Sequence, residues 1–580
     1  MCVGGNAIVT KALQISEKPP TQVSQSAKYT VITFAPVQGF IEKSRKLRDL
    51  YGASQILSYL SYCIVKAAEK EDLTVVSPVF LGDSDLIQGM PNRVLIVGEI
   101  EKDIARNLLE NALLVGWQKI IDSCKHWVEA NVSDVSTYEW DMSWKRWRLH
   151  AWEVFLGQGQ SIPLAMDDLE TRKLQRAWTV PNWNGESSSL SGHDAIAHPH
   201  MDRQIIPKKE RNSQSQFDSQ DSAQKIRDFY NVLAEKLDPY GSENDRAYIN
   251  ENERLSIPEL VKRLVTYEDV TNKIDFYRVI LDGDKKAFEL ESFTKLLRKD
   301  DKKQETYWTG WFMGDGDRIG NYLKSLSDPD QVREFSSCLR RWGHGFQSDF
   351  DIKTGAIALG RVVYAGGDDF LGVIYGTDAK PQRDKQEVVD WLCGLSDRWE
   401  ILREDMRSKG LRVNDGDEPD VSLSVGFVWA GHSVPQRDVL QHCREAEKRA
   451  KSLGRDRVTI RVVFNNGQFV EWTTPWEYLS WLKDYCDRDG NTGQKANWSH
   501  VYTDLAQLKA RHAIPSINSI NQDSTIALAL FKLHFGDENY AVLSSKRSNI
   551  TNTEDTKVLI QWIESMIKVG WQLLAEKNDV

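Results

Sequence analysis

At 580 residues the chain exceeds what one hydrophobic core organises, so about three to five domains are expected. Hydrophobic residues make up 41% and charged residues 27%, an ordinary globular composition, and the net charge of −10 excludes binding of nucleic acid by bulk charge alone. The seven cysteines are scattered and form no Cys-x-x-Cys pair, which argues against a disulfide framework and against a cysteine zinc site.

Residues 1–28 are polar and read as a loose arm without a signal-peptide core; with no membrane-length apolar run, the expected location is cytoplasmic. Order begins at 29–35, where β-branched and aromatic residues predict a strand, and Pro36 to Gly39 supply a turn. Over 40–70, Leu47, Leu50, Tyr51, Ile56, Leu57, Leu60 and Ile64 recur at helical spacing. Two strands at 73–80 and 93–97 and a helix at 102–127 follow. This β-α-β-β-α order predicts a ferredoxin-like palm over 29–182. At the place of an acidic hairpin it carries Asp83 and Asp85 in a longer loop, where solvated side chains are the simpler reading.

Trp140, Trp144, Trp147 and Trp152 are interleaved with Lys145, Arg146 and Arg148. Such a mixture can stack single-stranded bases, but an amphipathic helix whose cations cover packed tryptophans is preferred. Residues 183–224 lose apolar periodicity and gain Ser, Gln and Asn, the composition of a linker or insertion. The cluster His193, Asp194, His198 and His200 lies within it; without supporting residues, a solvated loop is simpler than a metal site. A helical domain is predicted over 225–305.

A second palm is predicted over 306–470, with strands at 307–312, 356–365, 370–375, 421–428 and 458–463 and helices at 329–347, 385–407 and 435–452. Two acidic turns mark it. Gly314-Asp315-Gly316-Asp317 follows the first strand, and Gly366-Gly367-Asp368-Asp369 sits at the tip of the hairpin 362–375. Adjacent carboxylates ionise together only if a cation sits on them, and glycines let phosphate or metal approach the backbone. Either turn alone reads as an Asp/Gly loop. A strand-end carboxylate plus a hairpin carboxylate is the arrangement two-metal nucleotidyl transfer needs. Beyond Pro475 a helical domain is predicted over 471–580, with an apolar stripe (Leu559, Trp562, Ile563, Met566, Ile567, Gly570, Trp571, Leu574) that suits an internal bundle.

The pieces FAPVQGFIEKSRKLRDLYGASQILSYL, MPNRVLIVG, GDGDRIG and YAGGDDF, in that order, resemble the large signature subunit of type III CRISPR interference complexes, often called Cas ten. The resemblance covers most of 29–465 and implies an α+β fold with two palms, an intervening helical domain and a C-terminal bundle. The stretch AEKRAKSLGRDRV also resembles diguanylate cyclases, where the residues matching Lys451 and Arg455 hold a triphosphate.

The resemblance implies a nucleotidyltransferase. Asp315, Asp368 and Asp369, with the Gly316 carbonyl, would hold two Mg²⁺ or Mn²⁺ ions. Asp368 and Asp369 would be catalytic, while Gly366, Gly367, Lys451 and Arg455 would contact ATP. The product would be cyclic oligoadenylate, made when guide RNA pairs with target RNA in a complex with backbone, guide-end and small subunits. Two family features are expected to be absent. Only 28 residues precede the first palm, so no histidine-aspartate nuclease is expected. Ser256 and Glu259 stand where family members carry zinc-binding thiolates, so no zinc is expected and apolar packing should replace it. The alternative to an enzyme is a catalytically quiet scaffold that organises guide RNA and neighbours.

Overall fold

The computed structural model describes residues 27–80, 89–175, 186–199, 213–239, 248–250, 252–274, 299–300, 305–326, 328–350, 359–376, 382–412, 420–515 and 523–575. Asp83, Asp85, His200 and the predicted helix beyond residue 274 lie outside them.

The first sheet is built from β1 (Ala27–Ala35), β2 (Thr74–Ser77), β3 (Arg93–Ile100) and β4 (Glu153–Gly159), in the order β2-β3-β1-β4 with every pair antiparallel. Helices Leu47–Lys70 and Lys102–Asn131 cross over between strands, completing a ferredoxin-like β-α-β-β-α-β unit. The sequence reading lacked β4, whose second half is Gly157-Gln158-Gly159. A Cβ at Gly157 would lie 2.4 Å from the Ala165 carbonyl oxygen, so its glycine serves the close approach of helix Ile162–Leu174.

The tryptophan-rich segment packs, as preferred. Helix Tyr138–His150 starts at Thr137, whose hydroxyl accepts from the Trp140 amide, and buries Trp140 and Trp144 edge to face at 5.3 Å. Trp152 lies beyond that helix, tilted on Phe40 at 5.0 Å and edge-on to Phe34 at 5.5 Å.

Residues 186–199 are tied down rather than free. Ser187 bridges Ala195 and Ile196 bridges Ser256; Asp194 is buried on Lys43 at 2.7 Å, and the His198 ring meets Phe229 edge-on. Packing thus consumes two members of the histidine-aspartate cluster. Where zinc-binding thiolates would stand, the expectation of apolar packing is overturned. Ser256 and Glu259 form a capping box on helix Ile257–Leu264, and Glu259 also accepts from the Ser188 hydroxyl at 2.5 Å. One turn later, Arg263 is 0% exposed and clasps Asp49 and Glu253 at 2.7 and 2.6 Å. A hydrogen-bonded ionic cluster holds this segment to the first palm.

After a short ribbon of β5 (Lys299–Asp300) and β6 (Glu305–Thr306), the second sheet comprises β7 (Thr309–Gly316), β8 (Gly360–Ala365), β9 (Asp369–Ile374), β10 (Leu423–Ala430), β11 (Arg457–Val463) and β12 (Phe469–Pro475). Its order is β12-β11-β10-β7-β9-β8. Strands β7 to β10 repeat the ferredoxin-like pattern, and β11 joins parallel to β10 through helix Gln436–Ser452. Edge strand β12, missed in the sequence, breaks its apolar residues with Glu471, Thr473 and Thr474; Trp562 of helix Thr556–Leu574 caps it by donating to the Thr473 carbonyl at 2.9 Å. The apolar stripe of that helix is therefore internal.

Each strand's alternation sends its two faces into different cores. Ile32, Phe34, Val94 and Ile96 of the first sheet share a core with Val363, Leu371, Val373 and Val428 of the second. Val31, Leu95 and Phe155 share the other core with Phe312, Phe370, Val425 and Phe427. The palms interlock through helices as well: Arg333 and Ser336 of helix Pro329–Phe350 hydrogen-bond the β2 region at Val75, Ser77 and Val79.

Candidate active site

Strand β7 runs through the middle of the second sheet and brings its acidic end between two partners, with Asp315 opposite Asp369 of β9 on one side and Ser424 of β10 on the other. Reciprocal packing sets this register: the Phe370 ring fills the space over Gly314, and the Phe312 ring the space over Gly372, leaving no room for a Cβ at either glycine. The Gly316 amide donates to the Asp368 carbonyl at 2.7 Å and the Gly366 amide to the Asp369 carbonyl at 2.9 Å. Asp315, Asp368 and Asp369 thus gather at one strand end, with Gly366 and Gly367 in the turn.

The turn is not the free hairpin tip that the sequence suggested. Gly366 and Gly367 are buried, Asp368 is half-buried and Asp369 exposed. A loop of the first palm lies across the glycines: a Cβ at Gly366 would sit 2.6 Å from the Gly89 carbonyl oxygen, and one at Gly367 3.8 Å from Pro91. The absence of a side chain at Gly366 is thus required first by this contact between palms.

Burial, then the neighbouring acids, raise the proton affinity of all three carboxylates. Asp369 opens to solvent at the mouth of this crowded cleft. Lys451 opposes the shift, with its Nζ 2.5 Å from Asp315 Oδ2. The positive charge of Arg93, at the start of β3 in the first palm, also favours ionised Asp368.

Arg455 is placed differently from Lys451. Its Nε is 3.9 Å from Asp317 Oδ1, on the flank of the acidic end. Asp317 is buried and accepts from the Ser422 and Ser424 hydroxyls and the Asp456 amide at 2.8 to 3.1 Å, so it ties β7 to β10 and to the 455–456 turn. Sequence reading missed Glu447, whose Oε1 is 2.5 Å from Lys451 Nζ; its i, i+4 spacing from Lys451 was the available signal. It also missed the Gly89–Pro91 cover, which no local pattern announces.

The donor set suits a hard cation. Three crowded carboxylates with raised proton affinity carry more negative charge than Lys451 offsets, and oxygen ligands favour Mg²⁺ or Mn²⁺. Elsewhere among the described residues, Asp487, Asp489 and His500 bring one ligand atom each within 4.8 Å of one another. The Asp487 carboxylate there already serves the amides of Asp489, Asn491 and Asn497 in a tight turn. No helix among the described residues is long and apolar enough to cross a membrane.

Two palms that share their cores, one bearing an acidic strand end and hairpin, define a nucleotidyltransferase-like palm architecture. The family model "Cas10/Cmr2, second palm domain" matches residues 308–459, and "CRISPR-associated protein Cmr2, N-terminal" matches residues 29–122. These two regions of the chain thus match domains of Cas10/Cmr2, the large subunit of type III CRISPR complexes. No curated protein matches it. Among solved structures, a chain of the type III-B Cmr-beta complex in the apo state is similar at 12% identity and TM-score 0.51, covering 95% of this chain and 82% of that one. A chain of Cmr-beta bound to cognate target RNA aligns at 12% identity and TM-score 0.48, covering 96% and 84%. A chain of a Csm1-Csm4 cassette in complex with cA4 aligns at 14% identity and TM-score 0.42, covering 95% and 70%.

Proposed function

We propose that the second palm converts ATP into cyclic oligoadenylate when the assembled complex pairs guide RNA with target RNA. The observation that carries this reading is the cluster of Asp315, Asp368 and Asp369 at one strand end, with a lysine within hydrogen-bond reach of Asp315. Asp315, Asp368, Asp369 and the Gly316 carbonyl would hold two Mg²⁺ or Mn²⁺ ions, supplying Lewis acidity for hydroxyl activation and for the pyrophosphate leaving group. Asp369 would complete the metal site or help take the proton of the attacking 3′-hydroxyl. Lys451 and Arg455 would face the triphosphate from the helix end, and Gly366 and Gly367 shape the turn beneath the Gly89–Pro91 loop. The first palm lends the Gly89–Pro91 wall and the charge of Arg93. Guide-end, backbone and small subunits are the proposed protein partners.

The test is incubation of purified complex with ATP, Mg²⁺ or Mn²⁺ and matched target RNA, with products resolved by chromatography. Oligoadenylates from the parent and none from D368A/D369A are expected, with guide-directed RNA cleavage unchanged in both. Equal synthesis by the double variant overturns the site. A parent that makes none leaves the subunit as a scaffold.

A further inference from the structure

Glu447 and Lys451 lie one turn apart on helix Gln436–Ser452, which packs its buried face on β10 and β7. The Lys451 ammonium is 2.5 Å from Asp315 Oδ2 and 2.5 Å from Glu447 Oε1. Glu447 is only 7% exposed, and its Oε1 makes no hydrogen bond to any other group. A buried carboxylate oxygen with no partner other than one lysine has a positional use for that lysine. The lysine in turn occupies an oxygen that a metal would need.

We infer that Lys451 is the resident cation of the metal-free site, held by Glu447 against Asp315, and that a divalent ion binding at Asp315 must displace it. This rests on the reading of Asp315 as a metal ligand. An ammonium and a divalent ion competing for one partly buried carboxylate repel each other strongly at such range. The helix does not have to move for the exchange. Glu447 retains the released ammonium, and the flexible lysine stem swings from carboxylate to triphosphate. Asp315 is thereby neutralised while no metal is present, and Lys451 becomes available to phosphate only after the metal arrives. Metal binding and triphosphate capture are coupled through one side chain, and the coupling is reciprocal. Glu447 acts as a positioning residue in this scheme.

The experiment titrates Mn²⁺ into the full chain without nucleotide, followed by electron paramagnetic resonance. K451M, which keeps the apolar stem and removes the charge, should bind Mn²⁺ about tenfold more tightly than the parent, in the usual range of coupling between sites. D315N should lose that binding. If D315N binds like the parent, the metal assignment itself fails. If D315N loses binding but K451M is no tighter than the parent, the exchange is overturned while the metal assignment stands. A second measurement needs no Lys451 variant: acylation of the Lys451 amine, read by peptide mass spectrometry. Saturating Mn²⁺ should raise its rate severalfold in the parent, and D315N should show the raised rate without metal. An unchanged rate in both overturns the inference.

Discussion

Replacing Arg263 by Met tests what holds the middle of the chain to the first palm. The guanidinium donates to Asp49 at 2.7 and 3.3 Å, to Glu253 at 2.6 and 3.1 Å and to the Tyr248 carbonyl at 2.6 Å, with all three charged side chains buried. Methionine fills similar space but leaves two acids without their cation, a loss that typically costs about 3–5 kcal/mol. Partial support survives: Asp49 still accepts from the Arg45 and Lys46 amides, and Glu253 from the Asn250 amide with Lys46 at 3.4 Å. The lower end, about 3 kcal/mol, is therefore expected. Amide exchange in helix Ile257–Leu264 should accelerate about a hundredfold, since each 1.4 kcal/mol is a factor of ten. The triple variant D49N/E253Q/R263M should recover most of the protection. Exchange in R263M within about fivefold of the parent would refute the reasoning, because the cluster would then add little beyond shape.

G366A places a methyl against the backbone of Gly89 and should destabilise by about 1–3 kcal/mol, whereas G320A, whose Cβ meets nothing within 4 Å, should be neutral or slightly stabilising; thermal melts compare them. The folded state keeps protons on Asp368 and Asp369 that the unfolded chain has lost, so their contribution to stability falls as pH rises above the ordinary carboxylate range. D368N/D369N and the parent should therefore melt alike near pH 4, with the variant higher at pH 7.5; equal melting at both values contradicts the crowding described. The Lys262 amine is pushed down to about 8 by burial, so stability should rise with pH between about 8 and the ordinary lysine range, and K262M should abolish that rise in melts across the window. D317A should destabilise the second palm, because three donors lose one buried acceptor, while D315N should leave its melting temperature near the parent's.

Much of this architecture was legible because periodicity and motif order agreed. The helix Leu47–Lys70 and the acidic strand end of β7 declared themselves through apolar spacing and through glycine-aspartate chemistry. Strand β4 was hidden because Gly157 is dictated by a helix that packs on it, not by the strand's own preferences. The ionic cluster around Arg263 was illegible since Asp49 and Arg263 are 214 residues apart, and no local pattern pairs them. At the site, the carboxylates were readable one by one. The cover of the adjoining glycines by a loop of the other palm, and the parking of Lys451 between Asp315 and Glu447, arise only from tertiary contact.

The sharing of both cores by the two sheets bears on how this subunit can change over time. A second ferredoxin-like unit beside the acidic strand end would ordinarily be free to shrink or disappear. Here its deletion would strip a wall from the core that holds Val363, Leu371 and Val373 behind the surviving acids, while Phe312 and Phe370 stay covered by Phe346 of the second palm. Sequence drift in the first palm is therefore closed at its packing faces. Its persistence follows from what it covers, even if it never touches a phosphate.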